Sequence, residues 1–148
     1  SADAASPVGL RIHHELRQFV SSAQGMGIRV LIISASCQWA VAPVAKKYFS
    51  IPEEDIWGIR ANRATDGRIL PSCIPPITYG EGKVEAVAQL TGCKPAFAGG
   101  DARTDLEMLQ ATTLGALVVD RGDPMLRREA QDRGWILYPQ QDLTCADH

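Results

Sequence analysis

Four short apolar runs, VLII (30–33), AFA (96–98), ALVV (116–119) and WILY (135–138), lack the polar alternation of a half-wet strand. They predict buried parallel strands. Between them, Ile12, Leu16, Phe19, Val20 and Ala23, and then Val84, Val87, Ala88 and Leu90, recur at three- and four-residue steps, the period of amphipathic helices. Gly25 and Gly92 are placed as the C-terminal caps of these two helices. Asp123-Pro124 reads as an N-cap followed by proline in the first turn of another helix, which Gly134 closes. Strands alternating with helices predict an α/β fold with a Rossmann-like parallel sheet and right-handed crossovers. Residues 51–78 break the pattern, because IWGIRA and GRIL flank NRATD and Asp66-Gly67 signals a tight turn. A small antiparallel hairpin over 56–72 is therefore expected to project from the sheet, and Pro71, Pro75 and Pro76 make a stiff return to the next helix.

Length and charge narrow the picture. The 148 residues are about one domain and enough for a core, so a single domain over 1–148 is expected. A formal net charge of −2 gives no basic field to attract nucleic acid or an anionic membrane, and neither is expected as a partner. No apolar run nears the roughly 20 residues needed to span a bilayer, and SADAASPVGL lacks the charged-then-apolar order of a signal peptide. Cys37, Cys73, Cys93 and Cys145 are scattered, without metal-ligand spacing. Free, packed thiols in a reducing, cytoplasmic compartment are the expectation.

In open parallel sheets ligands gather at the carboxyl ends of strands, and the residues near those ends carry the candidate chemistry. After VLII, Ser34 offers a hydroxyl, and the N–H groups of Ala35 and Ser36 face an anion or simply enter a capped helix. After AFAGG, Asp101 and Asp105 share one face of a first helical turn, as dipole-favoured acids or as oxygen ligands for Mg²⁺. Gly99 and Gly100 let the backbone approach whatever those acids hold. Lys83, in YGEGK, opens a helix and either faces solvent or binds an anion. It belongs to no P-loop, since Ile77 and Val84 occupy the required Gly and Ser/Thr places, and Glu85 breaks the dinucleotide-binding pattern. Together, hydroxyl and amides, ammonium and paired carboxylates suit a phosphoryl group held against Mg²⁺.

Five other positions carry alternatives. Cys37 at a helix start is a conceivable thiol nucleophile. His13 and His14, about 100° apart on a helix, cannot share one site, and one surface and one partly buried ring are expected. Trp39 either lines a leaving-group pocket or packs its helix. Arg103 faces phosphate or solvent.

Over residues 10–138 the chain resembles the haloacid dehalogenase superfamily, on the branch of phosphoserine and phosphorylcholine phosphatases. RVLIISAS resembles the second motif of that family, YGEGKVEAV the third and AFAGGDARTDLEML the fourth. The resemblance implies that Ser34 contacts phosphate, that Lys83 neutralises it, that Asp101 ligates Mg²⁺ and that Asp105 ligates or braces the ion. The family's first motif, a strand ending in D-x-D that carries the nucleophilic aspartate, has no counterpart: Asp3 follows no apolar strand and Ala5 stands at the second acid's place. The chain therefore reads as a partial core lacking the cap and the first-motif strand, which normally lies between the strands carrying Ser34 and Asp101. The implied function is a Mg²⁺-dependent phosphomonoesterase that acts on a small phosphorylated metabolite through an aspartyl-phosphate in the complete protein. This chain alone is expected to be inactive, its sheet completed by the missing segment or by another chain. The alternative is a catalytically inactive anion-binding or regulatory module. On the phosphatase reading, Lys83 lies within salt-bridge reach of Asp101 or of an anion beside Ser34.

Overall fold

Which strands become neighbours is decided by pairings the local pattern does not encode. The computed structural model describes residues 12–139, so Cys145 and Asp3 lie outside the described residues. In chain order the elements are α1 (His14–Gly25), β1 (Ile32–Cys37), α2 (Gln38–Phe49), β2 (Ile56–Arg63), β3 (Ile69–Ile74), α3 (Glu81–Thr91), β4 (Phe97–Gly100), α4 (Leu106–Gln110), β5 (Gly115–Asp120), α5 (Pro124–Arg133) and β6 (Ile136–Pro139). Single 3-10 turns at Glu53–Asp55 and Arg103–Asp105 precede β2 and α4.

The fold is α/β, with parallel strands flanked by helices, and its strands form two three-stranded sheets, β1-β2-β3 and β4-β5-β6. The second sheet is wholly parallel, with Ala98 beside Ala116 and Val118 beside Leu137. In the first sheet, β1 runs parallel to β2 and β2 antiparallel to β3. The hairpin forms as expected, its turn carrying Gly67 at φ +84°. It does not stand apart from the sheet, however, because its first strand pairs with β1 from Ile32 and Ile56 onward. The Asp66-Gly67 signal specifies a turn and is silent on what lies along the strand's other edge.

Two apolar clusters hold these sheets. One gathers Val87, Ala98, Leu109, Val118, Leu126 and Ala130 beneath β4 and β5. The other gathers Ala42, Ala45, Ile51 and Ile56 between α2 and the β1-β2 pair. Leu31, just before β1, and Ile33 within it pack against the first cluster, and Val20 of α1 packs on the second. Helix α1 also spans to the far sheet, where the Phe19 and Phe97 rings lie 5.8 Å apart and the Tyr138 hydroxyl hydrogen-bonds Glu15 Oε2 at 2.9 Å. Among the described residues, β1 and β4 each have a strand on one side only. That open edge explains why neither is as buried as its apolar composition predicts.

The helix ends divide. Gly92 and Gly134 close α3 and α5 in the left-handed region, at φ +71° and +65°, and Asp123 caps α5 by accepting the Met125 and Leu126 amides. Gly25 is not a cap: α1 runs through it to Met26, and the positive φ falls on Gly27. The expectation of packed thiols also fails for the described cysteines, as Cys37, Cys73 and Cys93 are all exposed. They lie at a helix N-cap, on an edge strand and in the loop after α3, outside both clusters.

Candidate active site

Strand β1 does not end where its apolar run ends. Ile33 sits opposite Trp57 and Cys37 opposite Ile59, so four residues of β1 advance against two of β2. The surplus bulges out as Ser34, Ala35 and Ser36, and α2 begins only at Gln38. The sequence had placed these residues at a helix entrance. The bulge arises because β2 runs on beneath the loop, where a Cβ on Gly58 would lie 2.6 Å from Ser36 O and 2.8 Å from Gln38 N. Gln38 fastens the loop, donating from Nε2 to Ile56 O at 2.9 Å and accepting the Gly58 amide on Oε1 at 2.6 Å. Within the bulge, Ser34 Oγ accepts the Ser36 amide at 3.1 Å.

The segment before α3 closes on this loop. Thr78 is fully buried and donates its hydroxyl to Ser34 O at 2.5 Å. Lys83 is 4% exposed. Its ammonium donates to Ile33 O at 3.2 Å and pairs with Asp105. An ammonium has three donors, and these two bonds use two of them. Gly82 makes this approach possible, because a Cβ there would stand 1.7 Å from Ile77 O. The sequence expectation was Asp101 or an anion beside Ser34; the carboxylate found is Asp105, which lies inside the fold while Asp101 faces outward.

Asp105 spends both oxygens within the protein. Oδ1 meets Lys83, and Oδ2 accepts the amides of Asp101 and Ala102, each at 3.0 Å. Gly100 lets the carboxylate fold back, since a Cβ there would lie 2.7 Å from Asp105 Oδ2, whereas a Cβ on Gly99 would meet only Leu117 O, at 3.9 Å. Asp105 thus braces the β4 exit. The Asp101 carboxylate is half exposed and paired with Arg121 Nη1 at 2.8 Å. It offers the hard oxygen that Mg²⁺ prefers. Among the described residues no group of three or more Asp, Glu, His or Cys side chains could hold a metal ion. Asp101 therefore fits one ligand position, and these residues do not fit a complete Mg²⁺ site.

The remaining candidates lie apart from this arrangement. Arg103 pairs with Asp123 at 2.7 Å and supports the α5 cap, and its guanidinium holds the Asp123 carboxyl below the ordinary aspartate range. Asp120, which ends β5, is likewise held low by its hydrogen bond from Arg127. Trp39 lies half exposed under the Arg63 guanidinium and lines, with Gln38, an open groove of about 690 Å³ along α2. Cys37 is the α2 N-cap and exposed. His14 is exposed, and His13 packs edge-on against Tyr138 at 6.0 Å. Thr78, Gln38 and Arg121 were missed in the sequence. Arg121 was legible, because it follows the apolar run ALVVD just as Ser34 and Asp101 follow theirs. Thr78 carried no local signal in PPITYG.

Comparison with known proteins gives three findings. A family model described as haloacid dehalogenase-like hydrolase matches residues 2–110. A conserved, functionally unknown protein from Anaerococcus prevotii superposes with a TM-score of 0.77 at 29% identity, over 88% of this chain and 38% of its own. A phosphoserine phosphohydrolase-like protein from Francisella tularensis superposes at 0.62 with 14% identity, over 87% of this chain and 58% of its own, and shares the fold. The chain thus spans less than two thirds of either structure. Comparison with curated proteins gives no significant match.

Proposed function

The chain belongs to the haloacid dehalogenase-like hydrolases, and on that premise we propose that it supplies the phosphate-holding half of a phosphomonoesterase acting on small phosphorylated metabolites. The observation that carries this reading is Lys83, a buried ammonium fixed between Asp105 and the Ile33 carbonyl, where the Ser34–Ser36 bulge begins. In phosphoryl transfer the protein's contribution is mostly positioning and charge neutralisation. Ser34 Oγ and the loop amides of Ala35 and Ser36 would hold phosphate oxygens, and Ser34 would release the Ser36 amide when an anion arrives. Lys83 would neutralise charge that grows on those oxygens. Asp105 would keep Lys83 and the 101–102 amides in place. Asp101 would supply one oxygen ligand for Mg²⁺, whose charge would offset that of the phosphate when bound.

The space between β1 and β4 would receive a further parallel strand bearing the nucleophilic aspartate, from another part of the same protein or from a second chain. Strand edges with unpaired N–H and C=O groups readily accept such a partner. Without an in-line nucleophile, orientation and electrostatics have nothing to accelerate. We therefore expect this chain alone to hydrolyse p-nitrophenyl phosphate at the background rate in excess Mg²⁺, and a version joined to a strand ending in D-x-D to gain activity that Asp101→Asn removes. Robust Mg²⁺-dependent turnover by the chain alone, lost in Asp101→Asn, would refute the reading and place the nucleophile among the residues present.

A further inference from the structure

Two successive carbonyls where β1 enters the bulge are gripped from one segment: Ile33 O by Lys83 and Ser34 O by Thr78. In a regular strand successive carbonyls point to opposite sides. That 78–83 reaches both shows the Ser34–Ala35 peptide turned out of the ladder, in agreement with the shifted register there. A peptide group is planar and trans, so its C=O and N–H point in opposite directions. Fixing Ser34 O therefore also fixes where the Ala35 N–H points: away from Thr78.

From this geometry we propose that Thr78 is a positioning residue for anion binding, which by anchoring the Ser34 carbonyl holds the Ala35 N–H aimed at a phosphate oxygen. The inference rests on the phosphate-holding role assigned to this loop. Thr78 touches no substrate itself. Its hydroxyl is fully buried, so the bond to Ser34 O is shielded from competing water. The segment is rigidly placed, because Gly82 presses against Ile77 O and the Gly80 amide donates to Thr104 O at 3.1 Å in the loop that precedes Asp105. Without the hydroxyl, the Ser34–Ala35 peptide is free to rotate, and the anion loses one prepaid donor.

The test is a titration of the full chain with inorganic phosphate, followed by the backbone amide resonances. In the wild type the Ala35 N–H resonance should shift as phosphate binds. Thr78→Val, which keeps the shape and removes the hydroxyl, should weaken phosphate binding about 10- to 100-fold, the range of one hydrogen bond to a charged group. Thr78→Ser, which keeps the hydroxyl, should bind as the wild type does, an outcome that a purely space-filling role for Thr78 would not produce. Equal phosphate affinity in Thr78→Val and wild type overturns the inference. An Ala35 resonance unmoved in the wild type while Lys83 responds also overturns it, even if Thr78→Val does not fold, and leaves the phosphate-holding roles of Ser34 and Lys83 standing. A wild type in which no resonance of the loop or of Lys83 responds brings down both.

Discussion

Replacing Lys83 by methionine should destabilise the folded chain by about 3–5 kcal/mol, the usual cost of stranding one member of a buried ion pair. The side chains of Lys83 and Asp105 are 6% and 7% exposed, so the carboxylate left behind has little water to turn to. Methionine keeps the volume and isolates the charge effect. Asp105 would retain the Asp101 and Ala102 amides on Oδ2 and lose its cation on Oδ1. Adding Asp105→Asn to Lys83→Met should recover part of the loss, because the stranded charge is then gone. Urea unfolding at constant slope measures both variants. Equal stability of the two would mean that water reaches Asp105 and that the pair is not buried in solution. A buried pair is often no more stabilising than apolar residues of the same shape. Its presence here fits a group held ready for an anion, and the same charge would cost the complete enzyme about 2.7–4 kcal/mol of transition-state stabilisation if removed.

Gly82→Ala should be nearly as damaging through a different cause. The added Cβ would lie 1.7 Å from Ile77 O and 2.8 Å from Ile77 C, both backbone atoms that cannot swing aside. Either the loop 77–80 retreats, carrying Thr78 off Ser34, or α3 starts later, carrying Lys83 off Ile33. A loss of about 3 kcal/mol is expected, the upper end for added volume in a packed site. Gly99→Ala is the control, since the nearest atom to its Cβ is Leu117 O at 3.9 Å. It should unfold like the wild type. Comparable losses at both positions would show that the close approach at Ile77 does not govern the effect.

The sequence made much of this legible. Periodicity and caps located α3 and α5 with their ends, and the rule that ligands gather at strand carboxyl ends picked out Ser34 and Asp101. What it hid were consequences of long-range pairing. No local feature of IWGIRA says that its strand borders β1 as well as β3, and so nothing revealed that the loop after Ile33 would bulge over Gly58. Asp105 reads in sequence as the twin of Asp101, four residues away on one helical face. In the fold a 3-10 turn intervenes and sends one carboxylate inward to Lys83 and the other outward to Arg121. Thr78 is 44 residues from Ser34, and a single threonine in a proline-rich stretch announces no such partner.

The central claim is that Ser34 and Lys83 together form a seat for a phosphoryl group. A crystal of the chain grown with tungstate, a heavy-atom analogue of phosphate, tests it most directly. The account predicts tungstate between Ser34 Oγ and Lys83 Nζ, in contact with the Ala35 amide. Tungstate bound elsewhere, with Lys83 still turned wholly to Ile33 O and Asp105, would contradict it.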